Sequence, residues 1–324
     1  MPSPSTSLAT LRPDLASFFE YYTEQENAGF IAQQVLPVID VAKPSGVFGK
    51  IPAEQLVAER DTLRAPGSSY ARSKFTFTTD TFATAEHGAE EPVDDNEAEA
   101  YSDYFDAEMV ATARAYGAVL RNAEKRAADL LFDPSVWTGG SLTLAVTHEW
   151  DDATNATPSD NVEFAIQKVY DNSGLWANAL ICNQKVFRNL RNCDQIIERI
   201  NSAGAAVSKP SDITAALLAQ ALGIDRVIVA GATRNSAKEG QAFSPTQIWS
   251  GEYAMVARIS SNVDMRDPCV GRTFHWAADG SSIGGTVESY REEQTRSDIV
   301  RVRHQVQEKL LYKEAAFLLS NITT

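Results

Sequence analysis

The sequence predicts an α+β protein organised around one unusually long helix, and three observations support this. Apolar residues recur at steps of three and four from about residue 95 to residue 132, which indicates a single amphipathic helix. The elements that follow mix helices and strands without a regular βαβ repeat, which argues against a doubly wound parallel sheet. Val300, Val302, His304 and Val306 alternate with polar residues, as they do in a long half-buried strand.

Composition places the chain among ordinary globular proteins. The sequence has 324 residues, of which 44% are hydrophobic and 22% charged, close to the averages for soluble domains. No secretory signal pattern opens the chain and no stretch reaches the length of a membrane helix, so we expect no membrane contact. Cys182, Cys193 and Cys269 are odd in number and widely spaced, which favours free thiols in a reducing cytoplasm.

The negative charge is unevenly distributed. The net charge is -14, and no Lys or Arg occurs between Lys74 and Arg114, where Asp and Glu are frequent. Tight binding of nucleic acid needs a surface of the opposite sign and is not expected, although a local basic patch stays possible. The acidic stretch from Glu86 to Glu108 is more typical of a solvated face and a favourable helix start than of a cation site.

The first 92 residues lack the features of a compact core. Residues 1–25 are rich in Ser, Thr and Pro and form a predicted loose arm, and the short apolar helix that follows ends at Pro37. Residues 46–92 are punctuated by Gly and Pro and contain a predicted two-stranded hairpin with a bulge or twist near Thr79 and Asp80. An isolated hairpin is marginally stable in water, so it needs a partner outside its own sequence.

The long helix has recognisable ends. Asp94 and Asp95 supply an acidic cap, and Asp133-Pro134 stops the helix. At 1.5 Å per residue it would be roughly 55 Å long, whereas the radius of gyration of a domain of this size is about 20 Å. Such a helix would cross the whole protein as a spine.

Shorter elements complete the prediction. The acidic loop from Asp151 to Asp160 precedes a helix at about residues 161–172. The remaining predicted elements are a strand ANALIC, a helix NQKVFRNLRNCDQIIERI, a helix SDITAALLAQALG capped by Ser211, and strands RVIVAG, EYAMVARI and RTFHWAA.

Catalytic motifs are weak. GSSIG at residues 280–284 matches a nucleophile elbow with Ser282 as nucleophile, and Asp298 and His304 follow in hydrolase order. That motif needs a strand before it and a helix after it, whereas the sequence predicts a hairpin loop between strands. The His residues stand alone, at positions 87, 148, 275 and 304, so no metal, cofactor or enzymatic activity is predicted.

Several longer phrases resemble one known family. NAGFIAQQVLPVIDVAKPSGVF resembles the passage from arm to loop in the major capsid proteins of tailed bacteriophages, which have the HK-ninety-seven-like fold. ANALICNQKVFRNLRNCDQIIERI and LAQALGIDRVIVAGATRNSAKEGQ are similar to the inner domain of these proteins. VESYREEQTRSDIVRVRHQVQEKLLYKEAAFLLSN is similar to their closing strands. The resemblance spans nearly the whole chain.

The resemblance implies a structural function and a division of the chain. Subunits would self-assemble as hexamers and pentamers into an icosahedral head, with double-stranded DNA as non-specific content and portal, scaffold and decoration proteins as further partners. The location would be the virion, after assembly in the cytoplasm of a host bacterium. The implied parts are an N-terminal arm (1–45), an E-loop (46–92), a P-domain (93–150 and 285–324) with the spine helix, and an A-domain (151–284).

The resemblance also implies contacts between subunits. The apolar side chains expected to make them are Phe30, Ile31, Val35, Leu36, Val38, Phe48, Phe75, Phe77 and Phe82. The first five of these are expected to anchor the arm and loop on the spine layer or on an adjoining subunit. Deleting residues 1–45 is expected to leave a folded subunit that forms no closed particles.

Some family members join an E-loop lysine covalently to an asparagine of a neighbour. Lys50, Lys74 and Asn321 lie in comparable regions. The reaction needs a neutral amine in an apolar pocket beside a base, and the sequence indicates no such pocket.

Two alternatives stay open at this point. One is an encapsulin-like nanocompartment, with the same fold around a protein cargo; the long arm and long loop favour the viral shell. The other, more remote, is a cytosolic serine hydrolase that uses Ser282.

Overall fold

A computed structural model describes residues 10–11, 29–52, 55, 58–59, 62–64, 66–70, 72, 76, 78–101, 106–202, 209–238, 240–262, 264 and 267–323. The strands are β1 (Thr10–Leu11), β2 (Val38–Asp40), β3 (Ser45–Lys50), β4 (Thr78–Ala83), β5 (Ala85–Asp94), β6 (Thr143–Ala145), β7 (Ala179–Asn183), β8 (Arg226–Ala230), β9 (Thr233–Asn235), β10 (Pro245–Gln247), β11 (Ala254–Ala257), β12 (Gly271–His275), β13 (Thr286–Glu292), β14 (Ser297–Leu310) and β15 (Ala316–Ser320). The α-helices are α1 (Ala32–Val35), α2 (Asp95–Tyr101), α3 (Ala107–Leu131), α4 (Pro158–Ser173), α5 (Gln184–Asn192), α6 (Asp194–Ser202) and α7 (Ala215–Leu222).

The first sheet is built around the long strand β14. Its order is β1-β13-β14-β12-β2, and β5 also pairs with β14. Helix α3 packs across this sheet, and the core between them includes Ala115, Val119, Val300 and Val302. The predicted alternation is confirmed, since all four of the predicted inward positions on β14 are buried.

The second sheet has the order β6-β15-β11-β7-β8. Its central strands β7 and β11 are buried along their whole length. Helices α4 to α7 contribute to a core that includes Trp150, Leu180 and Phe317. Among the described helices, none is both long enough and apolar enough to cross a membrane.

The predicted spine helix is interrupted. Residues 95–101 form α2, whereas α3 begins only after Asp106, which has an extended backbone with φ -78° and ψ 112°. The Asp106 carboxylate accepts hydrogen bonds from the N–H groups of Glu108 and Met109, so it caps a new helix rather than continuing the first. The spine is therefore α3 alone, about 37 Å long.

The hairpin within the predicted E-loop is confirmed near its base. Strands β3 and β4 pair antiparallel, with Phe48 opposite Asp80 and Gly46 opposite Phe82. The pairing is one-to-one along both strands, so of the two alternatives expected near Thr79 and Asp80, a bulge or a twist, the bulge does not occur. The predicted positions Phe75 and Phe77 lie outside the described residues.

Two helix boundaries also differ from the prediction. The segment expected to be one helix divides into α5 and α6, because Cys193 between them has an extended backbone with ψ 129°. Helix α7 is capped by the Thr214 side chain, which accepts from the N–H of Leu217, and not by Ser211.

Sheet membership does not follow the domain ranges expected from the sequence. Strand β12 lies in the first sheet, although its residues fall in the expected A-domain. Strands β6 and β15 lie in the second sheet, although theirs fall in the expected P-domain. The chain passes from β14 to β15 over one short turn, Lys313–Ala315, so the two sheets are closely connected.

Candidate functional site

The arm is fastened to the spine helix by a buried carboxylate. Glu124 lies on α3 and is only 2% exposed. Its oxygens accept hydrogen bonds from the backbone N–H groups of Ile31 and Ala32, both at 2.8 Å, and from Nε1 of Trp249 at 2.6 Å. One side chain thus connects the arm, the spine helix and a loop that follows β10.

The environment of Glu124 contains opposing electrostatic effects. Burial raises the pKa of its carboxyl group, while the three N–H donors act in the opposite direction. No side chain of the arm caps α1 at Ile31, so Glu124 supplies the acceptor that the start of this short helix lacks. Gly29 approaches Gly231 so closely that a Cβ atom would lie 2.6 Å from the Gly231 backbone.

Three apolar residues of the arm pack inside their own protomer. Ile31, Val35 and Leu36 are buried in a core shared with Leu131 and Trp249. They therefore have almost no surface to offer a neighbour in this conformation, which agrees with the spine layer, rather than an adjoining subunit, as the anchor of these three residues. Removing residues 1–45 would also remove these core side chains, so a folded product is no longer expected from that deletion. The positions Phe30 and Val38 are half-buried and keep some exposed surface.

Aromatic rings hold the base of the hairpin. Phe82 stacks on Phe274 of β12, with ring centroids 4.9 Å apart, and Phe48 lies 5.4 Å from the same ring. Both hairpin rings contact a small core that contains Cys269 and Phe274. Phe48 and Phe82 therefore attach the hairpin to its own protomer.

Charged groups from the end of β14 support the same attachment. Lys309 Nζ donates to Asp80 Oδ1 at 2.6 Å and also to the carbonyl of Thr81. The hydrogen bond from Lys309 is the main reason why the pKa of Asp80 is lowered. The backbone N–H of Ala83 donates to Oε1 of Gln307 at 2.8 Å. The hairpin is thus fixed to β14 on the side facing the first sheet.

We expect Lys309→Met to loosen this base. The pair is partly exposed, so the loss should be about 1 kcal/mol, and amide hydrogen exchange in β4 should accelerate about fivefold. Mass spectrometry of exchanging peptides measures this change. Lys125→Met is the control, because Lys125 forms an exposed pair with Asp129 on α3, away from the hairpin. Equal exchange rates in β4 for the wild type and Lys309→Met would contradict the assigned role.

Two large apolar side chains of the hairpin region remain exposed. Val47 on β3 is 66% exposed and points away from the Phe48 side of the strand, and Tyr70 in the distal loop is 70% exposed. Arg64 lies over the Tyr70 ring at 4.9 Å from its centroid. The contact residues predicted from the sequence did not include Val47 or Tyr70. The alternation of Val47 and Phe48 was the available indication, since adjacent strand residues face opposite sides.

The residues considered for covalent cross-linking make ordinary contacts. Lys50 donates to the carbonyl of Leu311 and lies over the Tyr312 ring at 4.4 Å from its centroid. Asn321 has a positive φ of 59° and donates from Nδ2 to the carbonyl of Val146 at 3.3 Å. Lys74 lies outside the described residues. Nothing in these contacts favours a cross-link.

The candidate hydrolase residues do not form a triad. Ser282 Oγ donates to the carbonyl of Gly285 at 2.8 Å, and Asp298 pairs with Arg291 at 3.4 Å. His304 Nδ1 lies 3.2 Å from the carbonyl of Ile283, to which it donates. The segment containing Ser282 joins β12 to β13, which lie on opposite sides of β14, and no helix follows it. The hydrolase alternative is therefore wrong, and the predicted hairpin loop is instead a connection across β14.

Part of the acidic stretch pairs with arginines, while its side chains stay partly exposed to solvent. Arg291 makes two hydrogen bonds to Asp95, at 2.5 and 2.6 Å. Arg301 on β14 pairs with Glu90 of β5 at 2.6 Å, and Arg114 on α3 lies 3.5 Å from Glu91. In the described part of the chain, no group of three His, Cys, Asp or Glu is placed to hold a metal ion.

Comparison with known proteins gives no match to a family model. Two curated relatives are each 23% identical to this chain and are both named major capsid protein. The protein of Pseudomonas phage JBD67 covers 91% of the chain and 92% of its own length. The protein of Burkholderia phage BcepMu covers 98% of both.

Solved structures agree across almost the full chain. A phage-related protein from Bordetella bronchiseptica has a TM-score of 0.69 at 20% identity and covers 97% of each chain. The mature capsid of bacteriophage PhiM1 has a TM-score of 0.53 at 12% identity, over 89% of this chain and 86% of that one. This chain has the fold of the tailed-phage major capsid proteins. The resemblance inferred from the sequence is confirmed, and the two relatives support a structural role in a capsid.

Proposed function

We propose that this chain is the major capsid protein of a tailed bacteriophage, and that it self-assembles as hexamers and pentamers into an icosahedral head. The observation that carries the proposal is that the hairpin is attached to its protomer on one side and has exposed apolar side chains elsewhere. Its inner side is fastened to the protomer by Phe48 and Phe82, while Val47 and Tyr70 remain exposed on a chain with the capsid fold. Large apolar side chains left exposed on a hairpin whose base is fixed suit a contact with a second copy.

The sequence that joins β3 to β4 also differs in charge from the rest of the chain. Residues 62–77 contain Arg64, Arg72 and Lys74 and no Asp or Glu, in a chain of net charge -14. A basic segment on an acidic protein is complementary to the acidic surface of another copy. Covering an apolar side chain contributes roughly 1.5 to 3 kcal/mol, so a few such contacts per subunit stabilise a closed shell. Phe30 and Val38 are further candidates for contact with a neighbour.

The remaining parts of the proposal follow from the same role. Double-stranded DNA is the non-specific content of the head, and portal, scaffold and decoration proteins are its protein partners. The protein acts in the virion after assembly in the host bacterial cytoplasm, and its role is structural rather than enzymatic. A predominantly acidic subunit repels DNA phosphates over most of its surface, which allows the genome to be released.

Assembly of the purified chain tests this proposal. We expect closed shells by electron microscopy at high protein concentration. A variant with Val47→Ser and Tyr70→Ser should remain folded by circular dichroism, while the protein concentration needed for shell formation rises at least tenfold, which corresponds to about 1.4 kcal/mol per subunit. Light scattering against protein concentration measures that threshold.

The matched control is Val47→Ile with Tyr70→Phe, which keeps both side chains apolar and should assemble like the wild type. A wild-type chain that stays monomeric at high concentration would refute the capsid function. Unchanged assembly of the serine variant would refute the role of the hairpin surface alone. Particles isolated from infected or expressing cells that contain a protein cargo and no DNA would favour the nanocompartment alternative instead.

A further inference from the structure

Helix α5 carries a local positive charge on an acidic protein. The segment between Asp171 and Asp194 contains Lys185, Arg188 and Arg191 and no acidic residue, although the whole chain has 43 acidic and 29 basic residues. All three cations lie within the nine residues of α5. The local charge of α5 is therefore positive, opposite in sign to the net charge of the chain.

One face of α5 borders a small polar cavity of about 240 Å³. The cavity is lined by Gln184, Lys185, Arg188, Asn189, Asn192 and Gln247. The α5 residues at spacings of three, four and seven from Lys185 share one helix face. The opposite face buries Val186, Phe187 and Leu190, so the helix is anchored and the orientation of its polar face is fixed.

The lining supplies hydrogen-bond donors and no carboxylate. Nδ2 of Asn189 is buried and has no hydrogen-bond partner among the described residues. Oε1 of Gln247 already accepts from Nδ2 of Asn183 at 2.5 Å, so the amide NH2 of Gln247 is its remaining polar group. Arg188 is exposed, and within the described part of the chain no carboxylate lies within 4.0 Å of its guanidinium group.

We propose that this cavity, the α5 pocket, binds a phosphate group, supplied in the particle by the backbone of the packaged DNA duplex. A guanidinium group matches the geometry of phosphate oxygens, and amide N–H groups complete the set of donors. The volume is below the roughly 300 to 1,000 Å³ of sites for drug-sized ligands and suits one phosphate with a few waters. This inference rests on the proposed capsid function, since that function brings the duplex to the protein.

The pocket gives the acidic shell a defined point of contact with its content. Most of the subunit repels phosphate, whereas each α5 pocket accepts one. Single contacts of this kind are weak and depend strongly on salt. Many copies would then order the outer layer of DNA without condensing it irreversibly on the wall.

The test measures binding of two probes to the purified full-length chain. A short DNA duplex is titrated by fluorescence anisotropy over a series of salt concentrations, and inorganic phosphate is titrated by calorimetry. For Arg188→Gln we expect about tenfold weaker duplex binding for any base sequence, and a salt dependence reduced by about one charge. Binding of inorganic phosphate should fall by a similar factor.

Arg191→Gln is the matched control, because it removes the same charge from the same helix outside the pocket. Arg191 Nε donates to the carbonyl of Pro210 at 2.8 Å, and its guanidinium group lies over the Phe187 ring. This variant should change duplex affinity about twofold or less. Equal losses for both variants, or no loss for Arg188→Gln, would overturn the pocket assignment.

Two further results would overturn the proposal that the α5 pocket binds a phosphate group of the DNA. Binding of inorganic phosphate without binding of duplex would remove DNA as the source of the phosphate. Loss of shell formation in Arg188→Gln with unchanged affinity for both probes would make the α5 pocket a contact between copies. Shell formation by the wild type is measured separately, so failure of the capsid function is distinguishable from failure of this inference.

Discussion

Replacing Glu124 by alanine is expected to lower the free energy of unfolding by about 4 kcal/mol. The substitution leaves three buried donors without an acceptor, namely the N–H groups of Ile31 and Ala32 and Nε1 of Trp249. Each orphaned donor costs about 1 to 3 kcal/mol. Removal of a buried carboxylate, which is itself costly to desolvate, offsets part of this loss. The melting temperature should fall by about 6 °C, measured by circular dichroism.

Two controls separate the role of the carboxylate from a general effect of substitution on α3. Glu124→Gln keeps one acceptor oxygen and should lose about half as much stability. Trp249→Phe removes a single donor and keeps a ring against Phe132, whose centroid lies 5.0 Å from that of Trp249. It should cost about 1 to 2 kcal/mol. If Glu124→Ala lost no more than Trp249→Phe, the arm would be held by its apolar residues and not by Glu124.

Elements with a repeating burial pattern could be predicted from the sequence. The strand β14 was predictable because one of its faces is buried along its length, so Val300, Val302 and Val306 had to alternate with polar residues. The spine helix was only partly predictable. The apolar stripe continues past Asp106, but that carboxylate bonds to the following N–H groups and starts a new helix. The periodicity of apolar residues does not reveal that a side chain at Asp106 will cap a new helix instead of continuing the first one.

The anchor of the arm could not be decided from the sequence for a different reason. The apolar residues Ile31, Val35 and Leu36 indicated a partner, either the spine layer or an adjoining subunit, and the sequence alone could not show that α3 supplies it. The partner includes Glu124, which lies 93 residues away from Ile31 along the chain. An isolated acid on a helix carries no pattern, so only the folded structure identifies it as an acceptor. The same argument applies to Lys309 at the hairpin base, 229 residues from Asp80.

The attachments of the arm and the hairpin differ. The described arm residues are fixed by a buried carboxylate and by core side chains. The base of the hairpin is fixed by Phe48, Phe82 and Lys309, and Val47 on its outer side is exposed. Association through a surface that is already held in place loses less conformational entropy than association through a disordered segment. The arm residues therefore serve the core of their own protomer, whereas Val47 stays accessible to a neighbour.

Acid is expected to weaken the contact between the spine helix and β14 through His304. This side chain is 2% exposed. Its Nδ1 donates to the carbonyl of Ile283, and Arg126 Nη2 lies 3.4 Å from its Nε2. The other charged or titratable groups facing it are Glu308, which pairs with Arg126 at 2.9 Å, and His87, whose ring centroid is 6.0 Å away. Burial, with a further contribution from the positive charge of Arg126, lowers the pKa of His304 to about 4.

The direction of the pH effect follows from this lowered pKa. The ordinary pKa of histidine is 6.5, so between pH 6.5 and about pH 4 the unfolded chain binds a proton that the folded chain does not. The stability present above pH 6.5 is therefore lost as the pH falls through this window, by roughly 3 kcal/mol, and the loss levels off below it. The free energy of unfolding in urea is measured at pH 7 and at pH 4.5. It should fall less between these two pH values in His304→Gln than in the wild type, because the variant lacks the titrating imidazole. The control His148→Gln replaces an exposed histidine and should be as acid-sensitive as the wild type. A His304→Gln variant as acid-sensitive as the wild type would assign the effect to other groups.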